Sequence, residues 1–138
     1  MAEEEIATLL KTARDQLVRA ENNLRQGIYD ACALFSALCA ENAASALILA
    51  LGSKPSKRHR NWYVLQIIPK PEGVENQVQA VLQALKSIEK HVIQARYPLK
   101  DERGKLTPPS EYYDKEKAEG LLNKARIILE KTETTIKA

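Results

Sequence analysis

Between Ala31 and Leu51, 17 of 21 residues are apolar, and Glu41 is the only charged one. A helix apolar on every side is either buried in a protein or spans a membrane. This run is built mainly of alanine and leucine, with Ser36, Glu41, Asn42 and Ser45 through its middle. A carboxylate at the bilayer centre costs roughly 2.5–3.5 kcal/mol even on lenient insertion scales, and no strongly apolar stretch offsets that cost. The run therefore reads as the central helix of a soluble bundle rather than a membrane span, carrying one acid into the dry interior, where it must find a partner.

The 138 residues suit one domain over 1–138, large enough to bury most of the surface the unfolded chain exposes. The acidic start, Glu3-Glu4-Glu5, is unlike a secretory signal, which has a basic start and an early apolar stretch. A cytoplasmic location is the expectation. Cys32 and Cys39 are seven residues apart in the central run. On a helix they share a face two turns apart, beyond disulfide reach, and read as small buried thiols. With no Cys-x-x-Cys and only His59 and His91, a metal site has almost no ligands to draw on. There is no Gly-x-Gly-x-x-Gly, Walker loop or His-Glu-x-x-His, so no cofactor is expected. The net charge of +3 permits an anionic partner without demanding one.

Apolar spacing gives the elements. Ile6, Leu10, Ala13, Leu17, Ala20 and Leu24 recur at alternating intervals of four and three, which predicts a helix from Glu3 to Gln26 ended by Gly27. A short turn leads into an antiparallel second helix, about Ile28 to Leu51, stopped by Gly52. After a polar, basic loop, Asn61–Ile68 is a short apolar element, helix or strand by pattern alone. Val74, Val78, Val81, Leu85, Ile88 and Val92 predict a third long helix to Ala95. Residues from Arg96 to about Asp114 read as irregular, and the last helix runs from Lys115 to Ile136. Its predicted inner face is Ala118, Leu121, Leu122, Ala125, Ile128, Leu129 and Thr132. The expected fold is all-α, an antiparallel up-and-down four-helix bundle with one extra short helix. A second helix without a polar face needs further cover, which points to a homodimer through the first two helices.

Three places are candidates for function. Glu41 either pairs with a cation such as Arg96 or His59 on the rim of a ligand or dimer cleft, or holds helices in register as a hydrogen-bonded core carboxylate. Arg96-Tyr97 stands where Pro98 stops the third helix. Arginine there either caps the helix or grips a carboxylate or phosphate, with tyrosine free to stack on a base. Lys54, Lys57, Arg58, His59 and Arg60, followed by Trp62 and Tyr63, combine cations and aromatics as a single-stranded nucleic acid or nucleotide requires. The alternative is a solvated loop anchored by its aromatics. His91 reads as a surface or capping histidine.

The order of these features resembles the HEPN family, the higher eukaryotes and prokaryotes nucleotide-binding domain. Residues 13–20 followed by 27–35 resemble the family's opening helical hairpin. Cys39-Ala40-Glu41-Asn42-Ala43-Ala44 through Gly52, then His59 and Leu65, is similar to its second helix, glycine and following turn. Arg96-Tyr97-Pro98, an acidic loop and a final helix resemble the end of its prokaryotic branch. Ala37, Leu38, Asn42 and Ser45 depart from the family's glutamines and lysines around the glutamate. The family's ribonucleases use an Arg-x4–6-His motif. Here Lys54, Ser53 and Gly52 hold those places before His59, and Lys86, Leu85 and Ala84 before His91. The wrong cation lacks the planar fork that grips phosphate.

The resemblance implies a non-enzymatic partner of a minimal nucleotidyltransferase, in a toxin–antitoxin or nucleotide-handling pair, with a cleft for nucleotide or RNA. Glu41, His59, Arg96 and Tyr97 would line that cleft, and Lys57, Arg58, Arg60 and Trp62 would contact the nucleic acid. A metal-independent ribonuclease toxin using His59 or His91, and an unrelated helical bundle, are the alternatives.

Overall fold

The computed structural model describes residues 2–137. Two long helices open the chain, α1 (Ala2–Arg25) and α2 (Tyr29–Ala50). Gly27 sits at φ +74°, in the left-handed region open to glycine, where it reverses the chain between them. Its N–H donates to Leu24 O at 3.1 Å and the N–H of Ile28 to Asn23 O at 2.9 Å. Orphan carbonyls at the end of α1 are thereby satisfied. Gly52, at φ +86°, ends α2 in the same way. Both stops fall where the sequence places them.

A short helix, α3 (Asn61–Ile67), follows the basic loop, and α4 (Glu75–Ile88) and α5 (His91–Gln94) come next. The chain then forms a two-stranded antiparallel ladder, β1 (Leu99–Lys100) with β2 (Leu106–Thr107), and the single turn α6 (Pro109–Tyr112). The long helix α7 (Lys115–Lys137) completes the described chain.

Ion pairs fix the direction of packing. Arg14 meets Glu133 at 2.9 Å and Glu21 meets Arg126 at 2.8 Å, so α1 and α7 run antiparallel. α2 reverses against α1 and packs along α7, and α4 packs along α7 and more lightly on α2. The architecture is all-α, as expected. Alanines make the centre dense: Ala13 and Ala20 of α1, Ala33, Ala37, Ala40 and Ala44 of α2, and Ala125 of α7 are fully buried. Small side chains let helix axes approach closely. By length and composition α2 could cross a membrane, yet 61% of its most apolar window is buried within the fold. All seven residues assigned to the inner face of α7 are buried.

Two local expectations change, and one left open is decided. The third long helix breaks at Glu89-Lys90, where Val92 N–H bonds to Glu89 O and Ile93 N–H to Lys90 O, a tightened i to i+3 pattern. The stretch read as irregular holds the small ladder, because Asp101 Oδ1 accepts the N–H groups of Arg103 and Lys105 at 2.9 Å and closes a hairpin. The ambiguous Asn61–Ile68 element is helical, with Asn61 and Leu65 buried one turn apart.

Candidate functional site

The loop from Ser53 to Arg60 is polar and broken by Pro55, so its own backbone pattern does not order it. Side chains do. Ser56 Oγ accepts the N–H groups of Arg58 at 3.0 Å and Arg60 at 3.2 Å. Ser56 N–H donates to Asn61 Oδ1 at 2.8 Å, while Asn61 Nδ2 donates to Glu41 O at 3.2 Å and Ser45 Oγ at 3.0 Å. Asn61 thus ties the loop to the middle of α2.

Glu41 adds a second tie. Its carboxylate accepts from His59 Nδ1 at 2.8 and 3.0 Å, so that ring nitrogen carries the proton. His59 sits at φ +60°, a left-handed conformation uncommon outside glycine. The pairing with His59 is the one the apolar setting of Glu41 demanded. The setting itself is wetter than expected: the Glu41 side chain is 21% exposed, at the edge of the core rather than inside it. The polar loop covers it on that side.

The dry acid is Glu89, 1% exposed. Its two oxygens accept the N–H groups of Asn61 at 2.6 Å and Trp62 at 3.0 Å, closing the start of α3. Burial pushes its carboxyl above the usual range, the two N–H donors pull it back, and the Glu41 charge raises it further. Sequence reading missed this residue. Its only local signal is a place next to Ile88, one turn after Leu85, on the edge of an apolar stripe.

Outward from this frame, Lys57, Arg58 and Arg60 are exposed and form no ion pair with another described residue. Trp62 is half-buried beside them, with Lys86 Nζ 5.7 Å from its ring centre and Tyr63 edge-on at 5.9 Å. Arg96 is not joined to Glu41. Its Nε donates to Val92 O at 2.7 Å, and its guanidinium lies over the exposed Tyr97 ring at 5.7 Å. That is the capping arrangement. Five pockets of about 410–510 Å³ are lined by residues other than Glu41, His59, Arg96 and Tyr97.

His91 is buried, contrary to the surface reading, because α6 and α7 fold over it. Its Nδ1 shares a 2.6 Å hydrogen bond with the Tyr113 hydroxyl. Burial, reinforced by Lys90 and Lys124, holds its pKa down to about 4. Cys32 and Cys39 are free and buried, and burial pushes the Cys39 thiol up to about 12. Among the described residues no group of three or more histidines, cysteines and acids is placed to hold a metal.

The family model of the HEPN domain matches residues 6–135. Among solved structures the chain is similar to TT1696 from Thermus thermophilus, with 28% identity and a TM-score of 0.72, over 94% of this chain and 96% of that one. It shares the fold of ST0689, an archaeal HEPN homologue, at 24% identity and a TM-score of 0.71, over 95% and 97% of the two chains. No curated protein matches it.

Proposed function

The chain belongs to the HEPN domain family, and from that premise we propose that it is a non-catalytic binding module whose basic loop contacts a nucleotide or single-stranded RNA. The same proposal makes it the partner of a separately encoded minimal nucleotidyltransferase. Family membership removes the reading of an unrelated bundle.

One observation carries the RNA contact. The 53–60 loop is held by Asn61, Ser56 and the Glu41–His59 pair, while Lys57, Arg58 and Arg60 are left without an ion-pair partner among the described residues. An ordered cluster of free cations beside aromatic rings loses little conformational freedom on meeting phosphates and can stack on bases. No observation favours the ribonuclease alternative: His59 is committed to a carboxylate, and the cations acting on His91 are lysines.

Fluorescence anisotropy of a labelled single-stranded RNA, read across a salt series, tests the proposal. Changing Lys57, Arg58 and Arg60 together to alanine lowers affinity by about tenfold or more and flattens the salt dependence by about two, at about 0.7 per lost phosphate contact. Equal affinity and slope for the triple variant overturn the RNA contact. Co-purification from native lysate, with mass spectrometry of whatever accompanies the chain, tests the partnership: a minimal nucleotidyltransferase is expected, and its absence overturns that part. Self-association through α1 and α2, where Val18 and Ile28 are exposed, belongs to the same proposal and is read by sedimentation at micromolar concentration.

A further inference from the structure

We propose that an open pocket between α5, α6 and α7 binds the phosphate group of a small phosphorylated ligand, at a site separate from the basic loop. The pocket has a volume of about 510 Å³, and Lys90, His91, Tyr112, Lys117, Gly120 and Lys124 line it. Asp114 and Glu116 line it as well.

The charges sort into two groups. Asp114 Oδ1 accepts the Lys117 N–H at 2.8 Å, and its other oxygen lies 3.5 Å from Lys117 Nζ. That carboxylate and that ammonium satisfy each other while capping the start of α7. Lys117 also lies over the Tyr112 ring at 5.2 Å, so this aromatic face is taken. Lys90 and Lys124 form no ion pair with a described residue, and both line the pocket with His91 and act on its ring. Two ammonium groups against the single carboxylate of Glu116 leave the pocket suited to an anion.

His91 forms the floor, 8% exposed. Burial keeps its ring neutral and keeps the Tyr113 hydroxyl protonated. Tyr113 O–H can therefore donate to Nδ1 at 2.6 Å, which leaves the proton of the neutral ring on Nε2. Nε2 has no hydrogen-bond partner among the described residues. A neutral N–H donor sharing a pocket with two unpaired lysines is complementary to a phosphate oxygen.

Gly120 is the independent sign. It lies inside α7 without a left-handed φ, and nothing lies within 4 Å of where a Cβ would stand. Glycine inside a helix costs about 0.5–1 kcal/mol relative to alanine. Neither a turn nor close packing calls for it here. Its missing side chain keeps the pocket wall clear for a ligand to approach the backbone.

The test is a titration of the full chain with inorganic phosphate and, separately, with AMP, each against chloride at equal ionic strength. Calorimetry and the imidazole NMR signals of His91 are the readouts. Saturable binding of phosphate is expected, with the His91 pKa rising by about a unit or more because the bound anion offsets Lys90 and Lys124. The charged and titratable groups facing that ring are Lys90, Lys117, Lys124, Asp114, Glu116, Tyr112 and Tyr113. Changing Lys90 and Lys124 to alanine weakens binding by about tenfold or more. Gly120→Leu abolishes it with helical circular dichroism retained. Tighter binding of AMP than of phosphate assigns the ligand to nucleotides, and equal binding assigns recognition to the phosphoryl group alone. No saturable response to either anion, or unchanged affinity in the lysine double variant, overturns the proposal.

Discussion

The carboxylate of Glu89 closes the amino end of α3 by accepting the main-chain N–H of Asn61 at 2.6 Å, across 28 residues of sequence. Arg60, which precedes α3, offers no side-chain cap of its own. Truncation to Glu89→Ala leaves two buried N–H groups without acceptors, at about 1–3 kcal/mol each. The expected loss is about 3–5 kcal/mol in urea unfolding, with the 53–60 loop loosened. Glu89→Gln keeps one acceptor oxygen and costs about 1–2 kcal/mol. Because burial raises the folded pKa of Glu89, the proton-linked part of its contribution to stability is fully present below the unfolded value of about 4.3 and is lost as pH rises through the folded one. The glutamine variant loses that slope.

His91 titrates with the opposite sign. Its folded pKa lies at about 4, below the ordinary histidine value of 6.5. The stabilising contribution is complete above pH 6.5 and is lost as pH falls through 4, because the unfolded chain binds the proton first. The full difference is on the order of 3 kcal/mol. Unfolding free energy measured from about pH 7 to about pH 4 should fall more steeply for the natural chain than for His91→Gln. Parallel curves would mean the ring is not held neutral.

The contrast between Glu41 and Glu89 shows how much the sequence discloses. The helices are legible because intervals of three and four mark one face and glycine marks the ends, both local properties. The inner face of α7 can be read residue by residue for that reason. Glu41 stands out as the lone charge in an apolar run, and one of the two cations suggested for it, His59, is its partner. Glu89 does not stand out among Ser87, Ile88 and Lys90. It is buried by α3, whose position depends on tertiary packing. The His91–Tyr113 bond, joining residues 22 apart, is hidden in the same way. The need of Glu41 for a cation and the resemblance both put Arg96 beside Glu41, whereas the stop at Pro98 offers helix capping, and capping is what Arg96 does by donating to Val92 O.

The Glu41–His59 pair orders a loop more than it stabilises the fold. With side chains 21% and 34% exposed, such a pair contributes about 0.2–1 kcal/mol. Glu41→Gln should therefore move the unfolding midpoint little. It should speed hydrogen exchange at the Arg58 and Arg60 amides, whose acceptor Ser56 belongs to the same frame. RNA affinity should drop several-fold with stability nearly unchanged. A large stability loss with unaltered exchange would instead make Glu41 a core residue that holds helices in register.

Thr132 offers a gain in stability. It is fully buried on the inner face of α7, and its Oγ1 has no hydrogen-bond partner. An unpaired buried hydroxyl costs about 1–3 kcal/mol, and valine fills the same shape with a methyl in its place. Helix propensity is close for the two residues, so it does not decide the sign. Thr132→Val should raise the denaturant midpoint by the equivalent of about 1 kcal/mol with an unchanged slope. Thr132→Ser keeps the orphan oxygen and deletes a buried methyl, so it should lose about 1 kcal/mol. A destabilised valine variant would mean that Oγ1 has a partner, such as the carbonyl one turn earlier.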